Sequence, residues 1–168
     1  MATWNEIVEA QRARTEAAQQ KAKIAEDAME GGALLIKEML TEAGLSFTTE
    51  HRGFGMTGRG EYVQPFLIVM ARPPNATDAD VMDKELCFQL KYGQRATGHS
   101  YYDKAETIHG RLMSLRTARL LLAGQEVKLY GDDKTLQELM TDRGVGRAPT
   151  WERELMKLAA EMVTKGSL

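Results

Sequence analysis

The sequence predicts an α+β fold: an α-β-β-β-α-β core with a mixed four-stranded sheet, an N-terminal polar helix before it and a C-terminal helical pair after it. Three observations predict this. Residues 4–29 are Ala-rich and charged with few large apolar side chains, the composition of a helix that forms readily and buries little. Leu45–Glu50, Tyr62–Arg72 and Leu86–Gly93 alternate or run continuously apolar between Gly and Pro, as strands do. Residues 101–123 hold Ile108, Leu112, Leu115 and Leu122 in a helical stripe closed by Gly124.

In chain order, Thr3 and Glu6 make a Thr-x-x-Glu capping box that starts the first helix. Gly31-Gly32 is expected to break or bend it. Residues 33–43 resume as a helix whose Leu34, Leu35, Ile36, Met39 and Leu40 suit it to lie on a sheet, with Gly44 as its C-cap. Leu45–Glu50 reads as a half-buried strand. Phe66–Ala71 is apolar throughout, as in a strand covered on both faces, and Pro65 marks an edge, a bulge or the strand entry. Residues 75–85 form an acidic loop or short helix. In Leu86–Gly93, Leu86, Phe88, Leu90 and Tyr92 face one way, and Cys87, Gln89 and Lys91 the other. A short strand at 126–131 and helices at 133–142 and 151–163 complete the chain. The organisation expected is an N-terminal helix (1–30), an α/β core domain (31–131) and C-terminal helices packing on it (132–168).

The 168 residues carry a net charge of −2, which excludes a generally basic nucleic-acid binder and leaves only a local surface of that kind. The single cysteine, Cys87, excludes an internal disulfide framework and a multi-cysteine zinc site; in an apolar strand it is expected to be buried and inert. The sequence has neither a signal-peptide pattern nor an apolar run of the ~20 residues a membrane span needs, so a cytoplasmic protein without membrane association is expected.

The stretch His51–Tyr62, HRGFGMTGRGEY, contains Gly-x-Gly-x-x-Gly at Gly53, Gly55 and Gly58. A dinucleotide loop needs a helix after the glycines, and here a strand follows. Arg52-Gly53-Phe54-Gly55 begins an RNA-recognition pattern, but Met56, Thr57 and Arg59 stand where that pattern continues with its aromatic residues. The stretch therefore reads as a hairpin tip carrying His51, Arg52 and Arg59, able to approach a phosphate backbone or simply to sit in solvent.

From Leu86 to Arg119, six basic residues (Lys91, Arg95, Lys104, Arg111, Arg116 and Arg119) face only Asp103 and Glu106. With His99, His109 and several tyrosines, this segment has the make-up of a nucleic-acid groove, or of a solvated helix face with ordinary ion pairs. The candidate nucleic-acid-binding residues are Arg52, Arg59, Arg95, His99, Lys104, Arg111 and Arg116. The three histidines have no metal-ligand spacing.

The element order, with Gln89-x-Lys91 on one strand face, resembles the PD-(D/E)xK nuclease superfamily, in its Gln-x-Lys variants. The resemblance implies metal-assisted phosphodiester hydrolysis, with acids holding Mg²⁺ and the lysine positioning the attacking water. The family's second-strand Asp has no counterpart in Val63-Gln64-Pro65-Phe66, so Glu61 is the substitute. Glu38 is a helix candidate for a further metal ligand. The implied catalytic set is Glu61, Gln89 and Lys91, with Mg²⁺ as cofactor if catalysis is retained and none otherwise.

The expected function is that of a nucleic-acid-associated protein on a nuclease-like scaffold with weakened or lost catalysis, its partner DNA or RNA. Two alternatives stand beside it. One is a small accessory or inhibitory protein, such as one from a mobile element, which docks on a protein partner or self-associates through residues 4–29. The other is an active Mg²⁺-dependent nuclease.

Overall fold

The computed structural model describes residues 3–42, 46–58, 64–96, 102–129, 133–135 and 160. A long helix, α1 (Trp4–Glu42), precedes strands β1 (Thr48–Thr57) and β2 (Gln64–Arg72). Then come a short helix, α2 (Asp78–Val81), strands β3 (Cys87–Ala96) and β4 (Tyr102–Met113), helix α3 (Leu115–Leu122) and a two-residue strand, β5 (Lys134–Thr135). The five strands form one sheet in chain order, each antiparallel to its neighbour. The fold is α+β, as expected, but the sheet is five-stranded and antiparallel rather than mixed and four-stranded. The expected C-terminal helical pair lies almost wholly outside the described residues. Among those described, no helix is long and apolar enough to cross a membrane.

The capping box forms: Thr3 N–H donates to Glu6 Oε2 at 3.2 Å, and Glu6 N–H to Thr3 Oγ1 at 3.2 Å. α1 does not break at Gly31-Gly32. Each glycine costs about 1 kcal/mol relative to Ala in a helix, but Met29, Ala33, Ile36 and Leu40 are buried on either side of the pair. Burial of large apolar side chains, worth about 1.5–3 kcal/mol each, outweighs that cost.

The expected helix over 101–123 is instead a strand followed by a helix. β4 pairs with β3 from Cys87↔Met113 to Gln94↔Glu106 and, past a register shift, at Ala96↔Tyr102; Ser114 ends it by capping α3, its hydroxyl accepting from Thr117 N–H at 3.2 Å. Gly110 lets the strands meet, because a Cβ there would run into the Gln89 carbonyl. The expected strand at 126–131 is irregular over its described residues, and β5 falls where a helix from 133 was expected. Thr77 and Asp80 cap α2 reciprocally, so the acidic segment does contain a short helix.

Only the first half of the glycine stretch departs from the expected hairpin tip: Gly53 and Gly55 lie within β1, which runs to Thr57 and pairs it with Gln64 of β2, while residues 59–62 lie outside the described residues. Gly53, at φ 139°, sits at a register shift after His51, with Leu122 of α3 packed where its side chain would be. Gly55 leaves room for the ring of Phe66.

The sheet is covered on both faces. His51, paired with Val69, meets Glu30 of α1 at 3.5 Å; Gly53, paired with Ile68, lies under Leu122 of α3. Alternation then puts Leu67, Val69, Phe88 and Leu90 on the α1 face, and Ile68, Cys87, Gln89 and Lys91 on the α3 face. Phe66–Ala71 is wholly buried between them.

Candidate functional site

On the α3 face, cross-strand register sets Gln89 opposite Arg111 and Lys91 opposite His109. β5 pairs its Thr135 with His109 and its Lys134 with Gly110, which delivers the preceding residue, Asp133, to this group. Among the described residues, Lys91, Arg111 and His109 approach Asp133. Lys91 Nζ donates to Oδ2; Arg111 donates to Oδ1 from Nε at 2.9 Å and approaches it with Nη2 at 2.7 Å; His109 Nδ1 stands 3.3 Å from Oδ2. Asp133 is 6% exposed, and the side chains of Lys91 and Arg111 are 12% and 18% exposed.

Burial raises the Asp133 pKa. The approach of His109, the charge and hydrogen bond of Lys91 and the charge of Arg111 more than reverse this, holding the carboxyl well below its ordinary range. The acid is ionised, between two cations. Two groups are left over. Both ring nitrogens of His109 and both amide atoms of Gln89 have no hydrogen-bond partner, in residues each 1% exposed.

A second ionic group lies toward α2. Arg52 (β1), Arg72 (β2) and Arg119 (α3) converge on Asp78, Arg52 at 2.9 Å, and Arg52 also meets Glu50 at 3.1 Å. These contacts clasp α2 and α3 to the first hairpin. Cys87 lies in their field. Burial pushes its thiol up to about 12, outweighing the opposing charges of Arg52 and Arg119.

The candidate residues are thus split. Gln89, Lys91 and Arg111 come together as neighbours. Arg52 is committed to Asp78 and Glu50, and Arg116 is exposed and pairs with Asp83 at 3.0 Å. Glu38 joins none of them: it is exposed on α1, which covers the opposite face from Gln89. Glu61, Arg59 and His99 lie outside the described residues. So do the side chains of Arg95 and Lys104, whose backbones are in β3 and β4. Among the described residues, no group of three or more acidic, His or Cys side chains could hold a metal. Among the described residues, the acid beside Lys91 is Asp133, which is already held by Lys91 and Arg111.

Sequence reasoning missed Asp133, the pairing of His109 with it, and the Asp78 clasp. The signal for His109 was its i, i+2 relation to Arg111, which matches that of Gln89 to Lys91 once both segments are strands. No family model matches the chain, and neither the curated proteins nor the solved structures contain a match.

Proposed function

We propose that this protein is an interaction module that docks on a protein partner, or on a second copy of itself, through the projecting end of α1. One observation carries this reading. The buried residues of α1 begin at Ala25, and from Trp4 to Ile24 only Val8 is even half-buried. Those residues extend about 30 Å at 1.5 Å per residue. Trp4 is 76% exposed, and Ile7 and Ile24 are exposed near it and at the other end of the arm. An isolated helix gains little from propensity alone, so an arm of this length gains its function and much of its stability from what it packs against. The test is deletion of residues 1–24, together with Trp4→Ala/Ile7→Ala in the full chain. Sedimentation and partner capture should both change while the core's unfolding transition stays in place. An unchanged oligomeric state and unchanged partner set would overturn the reading.

Nucleic-acid association is a second reading, favoured by the register that brings Lys91 and Arg111 together on a β3–β4 ribbon that also carries Arg95 and Lys104. It requires binding to DNA or RNA that weakens steeply with salt, because phosphate contacts release counterions. A flat salt dependence would exclude it. The nuclease alternative finds no carboxylate set for a metal among the described residues.

A further inference from the structure

The seam of α1 that lies on the sheet does not stop where the sheet does. Met29, Ile36 and Leu40 are buried there. Counting back at 3.6 residues per turn, Trp4, Val8, Gln11, Thr15, Ala18 and Ala22 fall on the same face. This outer seam is bulky at Trp4 and Val8 and narrow at Ala18 and Ala22. The Thr15 hydroxyl donates to the Gln11 carbonyl at 3.0 Å, so it asks nothing of a partner. Beside the seam runs a row spaced by seven residues: Ile7, Arg14 and Lys21. Arg14 and Lys21 are exposed, and neither has an acid three or four residues away, so no neighbouring carboxylate on the helix neutralises them. On the other flank, Arg12 is paired with Glu9 at 3.5 Å.

A second copy of the chain suits this seam badly. From Ala25 onward the seam is covered by its own sheet, so two copies lying parallel would bring two sheets into one space. An antiparallel copy fits by shape, with Trp4 against Ala22 and Val8 against Ala18. That register sets Arg14 beside Arg14 and Arg12 beside Arg12, like charges at the centre of the contact. We propose that the arm instead takes a different protein, one that presents an acidic amphipathic helix. The partner's carboxylates, seven residues apart, face Arg14 and Lys21. Its apolar side chains are bulky opposite Ala18 and Ala22, where this seam is narrow. The proposal rests on the docking reading above and narrows it to one class of partner.

The test uses the full chain and two synthetic helical peptides as long as the arm. Both carry the same leucine and alanine seam, flanked by glutamate in one and by lysine in the other. In calorimetric titrations the glutamate peptide is expected to bind about tenfold more tightly at low salt, as two attractive pairs replace two repulsive ones. Added salt narrows the difference. Arg14→Glu/Lys21→Glu changes two exposed positions and is expected to reverse the preference. Equal binding of the two peptides, binding of neither, or an unreversed preference in the double variant would each overturn the proposal. Trp4→Ala/Ile7→Ala separates its failure from that of the docking reading. Equal peptide binding that this variant weakens overturns the acidic partner alone, whereas peptide binding that it leaves untouched overturns both. A dimer of the full chain that the same variant dissolves would overturn the proposal in favour of a second copy. Binding to anionic phospholipid vesicles but to neither peptide would overturn it in favour of a membrane surface.

Discussion

Arg111 holds Asp133 by two of its nitrogens, with Nε at 2.9 Å and Nη2 at 2.7 Å from the same carboxylate oxygen, Oδ1, while Lys91 takes the other oxygen. The pairing joins a strand in the middle of the sheet and its neighbour to the short strand at the edge.

Asp133→Asn should destabilise the protein by about 3–5 kcal/mol, the range for breaking a buried ion pair from one side and leaving its cations uncompensated. Urea unfolding measures this. The same group sets an acid limit. Its folded pKa lies below the unfolded value of about 3.9, so its contribution is complete above that value. The contribution is lost as pH falls below that value toward the folded pKa. A melting curve taken from pH 7 down to pH 2 should show the decline, and Asp133→Asn should flatten it.

Cys87 should resist alkylation in the native state and react only on unfolding. Its proton is held up to about 12 in the folded chain and released near 8.5 in the unfolded one. The folded pKa is raised, so the stability tied to this proton is complete below about 8.5 and is lost as pH rises from there toward 12. Cys87→Ala should remove that alkaline slope in a pH series of unfolding free energies.

Two glycines should answer in opposite directions to the same added methyl. At Gly110 a Cβ meets the Gln89 carbonyl and comes within 3.3 Å of Leu90 Cα, all backbone that cannot turn aside. Gly110→Ala should cost about 1–3 kcal/mol or more. Around Gly31 a Cβ meets nothing within 4 Å, inside a helix. Gly31→Ala should therefore gain about 0.5–1 kcal/mol. Thermal unfolding of the two variants beside the parent checks both signs.

What could be read from the sequence follows from which signals are local. Phe66–Ala71 announced itself as a doubly covered strand because six successive apolar residues leave no polar face. β4 did not. Its Ile108-x-Gly110-x-Leu112 alternation has a gap where glycine contributes no side chain, and the remaining Ile108, Leu112 and Leu115 fit a helix equally well. Gly31-Gly32 looked like a break because propensity is local and the packing that overrides it is not. The glycines of β1 suggested a turn, whereas their purpose is to make room for Phe66 and Leu122. Gln89 and Lys91 were placed correctly on one face, but the carboxylate that completes their group lies 42 residues beyond Lys91. No spacing rule reaches that far.

Strand order equal to chain order has a kinetic consequence. Each strand can pair with the one made just before it, so the sheet assembles between chain neighbours, β1–β2 and β3–β4 across short connections, the topology associated with rapid folding. Asp133 is the exception, since it must reach back across β4 to Lys91 after the other strands are in place. The ion group should therefore close after the rate-limiting barrier. In stopped-flow experiments Asp133→Asn should leave the refolding rate nearly unchanged and accelerate unfolding. The last contact to form would then be the latch that sets how long the folded chain survives.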